Sequence, residues 1–389
     1  MKKALLTVLV FALGLIVAGL NAADKKAEPR PVGIKIYSFD FQGKKLPAAV
    51  WYPAAKPGEK LFDYNGVNKG SAYLDAEPDR AHGPYPLILF SHGMAGCGFQ
   101  SVFYTENLAR AGYVVAATDH KDSLGCTISG PPKITVGKAL SALFKSGGNF
   151  TKLEQSIFGE EMDMTYRYRP KEFIALLDFI IGLNSTNPEF KGLIDSNQVG
   201  VTGHSLGGFT SLAVAGAVYD CVDSSKWPDS LCKKLDELDY EQMEMDTGVI
   251  CCMDGFKGKS VSFADPRIKA SLPLSPAVIF PKDDLKPVKA PVMIITGSKR
   301  DIPLETIQRA YDEFSGPKYV LKLDKVTHTT IVDVTRLGFG SFQGLNQERK
   351  DIYQNFSRAF FDGYLKGDAK SLDYIRHQNY PLVDLQARP

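Results

Sequence analysis

Gln198-Val199-Gly200-Val201-Thr202-Gly203-His204-Ser205-Leu206-Gly207-Gly208 joins a short β-branched run to a helix of small residues through one serine. Residues 198–202 read as a buried strand and 207–218 as the helix that follows it. The Gly203-x-Ser205-x-Gly207 spacing between them is that of a nucleophile elbow. Such a serine sits on a tight, strained turn that projects its hydroxyl, and the small residues on either side let strand and helix approach closely. The bare spacing recurs by chance in many chains. A strand before it and a helix after it give it meaning.

A serine hydroxyl is a weak nucleophile and needs a base oriented by a third group. Six histidines are present: His82, His92, His120, His204, His328 and His377. His328, in Lys325-Val326-Thr327-His328, follows the last strand-like run and is the candidate base. His92 reads as a clamp on its own turn. The acid is expected between serine and histidine in chain order. Asp301 follows the run 292–296 through a short loop, with Asp283, Asp284 and Asp324 in reserve. Acyl transfer also needs donors for the developing oxyanion. The backbone N–H of Leu206 is one candidate, and that of Met94, in Ser91-His92-Gly93-Met94-Ala95-Gly96, is the other.

Outward from the elbow, residues 33–41 and 46–53 read as a hairpin around Gly43, and 86–90, 113–118, 268–274, 292–296 and 319–323 as further strands. Helices are expected over 102–111, 172–183 and 352–365. Strands alternating with helices imply a mostly parallel sheet covered on both faces. Two stretches, about 121–169 and 220–265, are long for simple connections and are expected to form a cap; surface decoration is the alternative.

The first residues differ from the rest. Lys2 and Lys3 precede an apolar run from Ala4 to Leu20 and then Asn21-Ala22-Ala23, the pattern of a secretory signal cleaved after Ala22 or Ala23. An uncleaved anchor is the alternative. The expectation is a signal over 1–22, one domain over 23–389, and a secreted or periplasmic product. Cys97, Cys126, Cys221, Cys232, Cys251 and Cys252 make an even count suited to disulfides in that compartment. Cys97 and Cys126 can bridge two successive loops, while Cys251 and Cys252 are expected to pair with Cys221 and Cys232. No CxxC spacing suggests zinc. The chain has 46 Lys and Arg against 44 Asp and Glu, so no strong field recruits nucleic acid. Gly258-Lys259-Ser260 resembles the end of a P-loop, but Met253 stands where its glycine is required.

Leu89-Phe90-Ser91-His92-Gly93, Asp119-His120-Lys121-Asp122 and Gly203-His204-Ser205-Leu206-Gly207-Gly208 resemble the platelet-activating factor acetylhydrolases. Val50-Trp51-Tyr52-Pro53 and Phe360-Phe361-Asp362-Gly363-Tyr364-Leu365 are similar to the broader dienelactone-hydrolase-like group. The resemblance implies an α/β-hydrolase fold and, with serine in place of that group's cysteine, cleavage of carboxylic esters without cofactor or metal. The acetylhydrolase pattern takes its acid after the sixth strand, where this chain has Leu274-Ser275-Pro276, so the acid moves to Asp301. Expected substrates are short-chain acyl esters or acetylhydrolase-type phospholipids, met with transient contact at a lipid interface. The alternatives are a lidded lipase, phospholipase or polyester hydrolase, and an inactive hydrolase fold that only binds.

Overall fold

Gln42 and Gly43 both take positive φ, 49° and 76°, the left-handed pair that matches the twist of a tight hairpin. They join β1 (Val32–Phe41) to β2 (Lys44–Pro53), paired antiparallel from Val32 opposite Pro53 to Phe41 opposite Lys44. A short β3 (Tyr73–Leu74) borders β1. Then β4 (Tyr85–Ser91), α1 (Val102–Arg110) and β5 (Val114–Thr118) make the first strand–helix–strand unit. After α2 (Tyr168–Thr186) come β6 (Ile194–His204) and α3 (Leu206–Val214). A ribbon of β7 (Val218–Asp220) and β8 (Ser260–Ser262) stands apart from the main sheet. The remainder is β9 (Ile268–Leu274), β10 (Val292–Gly297), α4 (Leu304–Glu313), β11 (Lys318–Leu323), α5 (Gln347–Leu365), α6 (Ala369–His377) and β12 (Val383–Arg388). This computed structural model describes residues 30–131, 133, 166–223, 249–252, 256–299, 301–332 and 346–388. The signal expected over 1–22 and most of both expected cap segments lie outside those residues.

The ten strands of the main sheet run β12-β11-β10-β9-β6-β4-β5-β2-β1-β3. From β5 through β11 every neighbour is parallel; β2 meets β5, and β12 meets β11, antiparallel. Alternate residues of the central strands enter cores on opposite faces. Ile88, Phe90, Val115 and Ala117 pack with α1 and with Phe356, Phe360 and Phe361 of α5. Leu87, Leu89, Val114, Ala116, Val199 and Val201 pack with Phe173, Leu176, Leu177 and Ile180 of α2. Burial on both sides explains why these strands read as continuous apolar runs.

The expected helix over 207–218 ends sooner, at Val214. Gly216, at φ 125°, turns the chain, and Val218 starts β7. Disulfides Cys97–Cys126 and Cys221–Cys251 are formed, and Cys252 is disulfide-bonded as well. Among the described residues no helix is long and apolar enough to cross a membrane.

Candidate active site

Ser205, Asp301 and His328 stand in three loops that leave the carboxyl ends of β6, β10 and β11, the edge of a parallel sheet where sites form. Ser205 adopts φ 55° and ψ −118°, a region costly to any residue with a side chain. The turn around it is crowded by backbone: a Cβ on Gly207 would strike the carbonyl of Ser91, and one on Gly203 would strike the carbonyl of Gly207. Ser205 N–H donates to Leu274 O (3.0 Å) and Ala277 N–H donates to Ser205 O (3.1 Å), so β9 fixes the turn from the other side.

Ser205 Oγ lies 3.0 Å from His328 Nε2, and His328 Nδ1 lies 2.9 Å from Asp301 Oδ1. His328 is carried on a short turn closed by Thr327 N–H to Thr330 Oγ1 (2.8 Å). The Asp301 side chain is buried, and its second oxygen accepts from Ser275 Oγ (2.7 Å), Thr296 Oγ1 (3.2 Å) and Gly297 N–H (2.5 Å). Burial alone would raise its pKa. The hydrogen bond and charge of His328, with the Ser275 and Gly297 donors, outweigh burial and hold the carboxyl below its ordinary range. Ser275 thus joins the site from the position where the acetylhydrolase pattern places its acid. Chain order alone does not reveal that β9 and β10 deliver their loops to one point. The reserves lie elsewhere: Asp283 pairs with Lys286, Asp284 accepts from Asp220 N–H, and Asp324 accepts from Ser298 Oγ.

Leu206 N–H opens α3, where the first turn has no intrahelical acceptor for it. In the loop after β4, Gly93 N–H goes to Gln100 Oε1 (2.8 Å), Ala95 N–H to Asp122 (3.3 Å) and Gly96 N–H to Gly93 O (3.1 Å). Among the described residues, Met94 N–H has no acceptor, and neither does that of Leu206.

This loop is braced by a buried ion pair that sequence reasoning missed. Arg169 bonds Asp122 through Nε (3.1 Å) and Nη2 (2.5 Å), and reaches His92 O (2.6 Å) and Gly93 O (3.2 Å). Both side chains are fully buried. A cation in the first turn of α2 opposes the helix dipole, and that is the one sequence signal of a dedicated anionic partner. His92 receives His120 N–H on Nε2 (3.0 Å) and donates from Nδ1 to Gly93 O (2.6 Å), as a clamp on the turn. Behind it, His120 links Ser91 Oγ to Glu172 Oε2, 2.8 Å on each side. Among the described residues no cluster of three or more His, Cys, Asp or Glu side chains is arranged to hold a metal ion.

The sheet order and the serine turn define an α/β-hydrolase. The solved structure titled "Ferulic acid esterase from Streptomyces cinnamoneus" superposes with a TM-score of 0.58 at 19% identity, covering 94% of this chain and 98% of that one. The family model described as "Platelet-activating factor acetylhydrolase, isoform II" matches residues 58–130. Platelet-activating factor acetylhydrolase of Cavia porcellus is 25% identical over 207 residues, 46% of this chain and 45% of that protein. Its Gallus gallus counterpart is 29% identical over 178 residues, 39% of this chain and 40% of that protein. The chain spans less than half the length of these curated relatives, and its likeness to them is confined to that part.

Proposed function

We propose that this chain is a serine carboxylic-ester hydrolase that works through an acyl-enzyme. The observation that carries the proposal is the run of hydrogen bonds from Ser205 Oγ through His328 to the Asp301 carboxylate, starting on a strained serine turn. His328 Nε2 takes the Ser205 proton as Oγ attacks the carbonyl carbon, and Asp301 holds the imidazole in the required tautomer. The tetrahedral oxyanion is received by the Met94 and Leu206 N–H groups. Collapse expels the alcohol, which takes the proton from His328. Water then attacks the acyl-enzyme by the same route, releasing the acid and restoring Ser205.

Short-chain acyl esters are the proposed substrate class, with acetylhydrolase-type phospholipids first among them because the sequence relatives carry that name. Disulfides persist in oxidising compartments, which supports a protein working outside the cytosol after loss of residues 1–22. A binding module on an inactive hydrolase fold has no use for a strained serine aligned on a histidine. A fluorophosphonate probe followed by a nitrophenyl ester series from acetate to palmitate tests the reading. Labelling at Ser205 and fastest turnover on short acyl chains are expected. An unlabelled Ser205 in folded protein sinks the proposal.

A further inference from the structure

A second chain of hydrogen bonds runs through the site without touching the reacting atoms. Gly93 N–H donates to Gln100 Oε1 (2.8 Å), Gln100 Nε2 stands 3.0 Å from His204 Nδ1, and His204 Nε2 stands 2.7 Å from the carbonyl oxygen of His328. Its direction is set at both ends by backbone. A peptide N–H can only donate, so Oε1 of Gln100 faces Gly93 and the amide N–H₂ faces His204. A peptide carbonyl can only accept, so His204 carries its proton on Nε2 and accepts at Nδ1. One amide orientation and one tautomer satisfy every link. Gln100 and His204 are buried, and no other arrangement of their protons does so.

We propose that Gln100 and His204 are positioning residues that lock the oxyanion loop, the serine turn and the His328 loop into one register. The inference rests on the triad and on the oxyanion role of Met94 proposed above. Gly93 precedes Met94, His204 precedes Ser205, and His328 is held by its own carbonyl. Movement of any one loop against the others breaks a buried hydrogen bond. The packing leaves no slack: a Cβ on Gly93 would lie 2.8 Å from His204 Nδ1, and one on Gly96 would run into Gln100 Oε1. Burial, aided by the nearby His328 charge, pushes the His204 imidazole down to about 3, so it stays neutral and keeps the single tautomer.

Two variants of the full chain test this. Gln100→Leu removes both links. With the loops free to drift by fractions of an ångström, kcat should fall about 10–100-fold while KM stays within about threefold, since misplacement by 1 Å costs on that order. Gln100→Glu keeps the acceptor for Gly93 N–H but cannot donate to His204. The chain then re-forms only when one extra proton is held between the new carboxylate and His204 Nδ1, so kcat should decline with rising pH where the unmodified enzyme holds its plateau. A loss identical at every pH would assign Gln100 to packing alone and overturn the proposal, as would kcat near the unmodified value in both variants. Should Gln100→Leu fail to fold, the isosteric Gln100→Glu profile decides by itself. Ser205→Ala run alongside separates the two readings: if it stays active, the triad has failed, whatever the Gln100 variants do.

Discussion

Ser205 and His328 are each irreplaceable in the proposed chemistry, because the adjacent imidazole of His204 has both nitrogens engaged, by Gln100 and by the His328 carbonyl. Ser205→Ala or His328→Ala should leave the melting temperature close to that of the parent and lower kcat by about 10⁵–10⁶. Activity within tenfold of the parent in either variant rejects the assignment. Asp301→Asn should cost up to about 10⁴ in kcat by favouring the wrong imidazole tautomer. Ser275→Ala, which removes one of several donors to Asp301, should cost about tenfold or less. At this scale the sequence was legible where chemistry is local: Ser205, Asp301 and His328 each follow a strand end. Gln100, Ser275 and Arg169 were not: their partners lie 104, 26 and 47 positions away, nothing near Gln100 or Ser275 marks the pairing, and the misplaced cation at the start of α2 calls for an anion without saying which.

Elements carry the site by gripping its loops, and the grip of α2 is the Arg169–Asp122 pair. Arg169→Met should destabilise the fold by about 3–5 kcal/mol, since it leaves the Asp122 carboxylate buried without compensation. Arg169→Met with Asp122→Leu should recover much of that loss in urea denaturation while kcat stays low, because the His92 carbonyl has lost its Arg169 donor and Gly93 O keeps only its local bonds from Gly96 and His92. Equal destabilisation by the single and double variants would argue against this account. The Cys97–Cys126 bridge spans 29 positions and ties the start of the α1 segment to the loop after β5. Replacing both with serine should cost about 2–4 kcal/mol, read as a lowered urea midpoint with a somewhat steeper slope as the untied denatured chain expands. Fully buried strands announced themselves, and β9 falls on the expected residues 268–274. By contrast α4, α6 and β12 were not anticipated. Their inward stripes are thin: Thr306, Ile307, Ala310 and Tyr311 on α4, and Ile375 alone on α6. Both helices are amphipathic all the same, so what hides them is their brevity, 10 and 9 residues, and not a missing period.

For the whole molecule, pH dependence follows from histidines buried in neutral form. Burial, with cationic neighbours, holds His92 and His204 near 3 and His120 well below its ordinary value. In the unfolded chain each titrates near 6.5. As pH falls below 6.5 the unfolded chain takes up protons that the folded state refuses, so stability is lost toward pH 3. Glu172 works in the opposite sense. Burial and the nearby Asp122 charge hold it up at about 8, so above its unfolded value of 4.5 the folded state keeps a proton that the unfolded chain has released. Burial likewise holds Asp119 up at about 6, so below that value it too keeps a proton in the folded state. The three histidine protons less those on Glu172 and Asp119 leave roughly 1.5 kcal/mol lost per pH unit near pH 5.5. Urea midpoints at pH 7, 6 and 5 should fall accordingly, and a flat series over that range would contradict the buried neutral histidines.

The left-handed backbone at Ser205 makes function visible to thermodynamics alone. Glycine enters that conformation without steric penalty, whereas any residue with a Cβ is held there at a cost of about 1–3 kcal/mol. Ser205→Gly and Ser205→Ala both forfeit the hydroxyl and its bond to His328, so the difference between them isolates the backbone. The glycine variant should be the more stable of the two by about 1 kcal/mol despite its looser unfolded chain. A screen that scored only resistance to heat, blind to every substrate, would therefore replace the serine at position 205. Positions where a molecule grows sturdier by losing its native residue are a map of its chemistry, and here that map can be drawn before a single ester is offered.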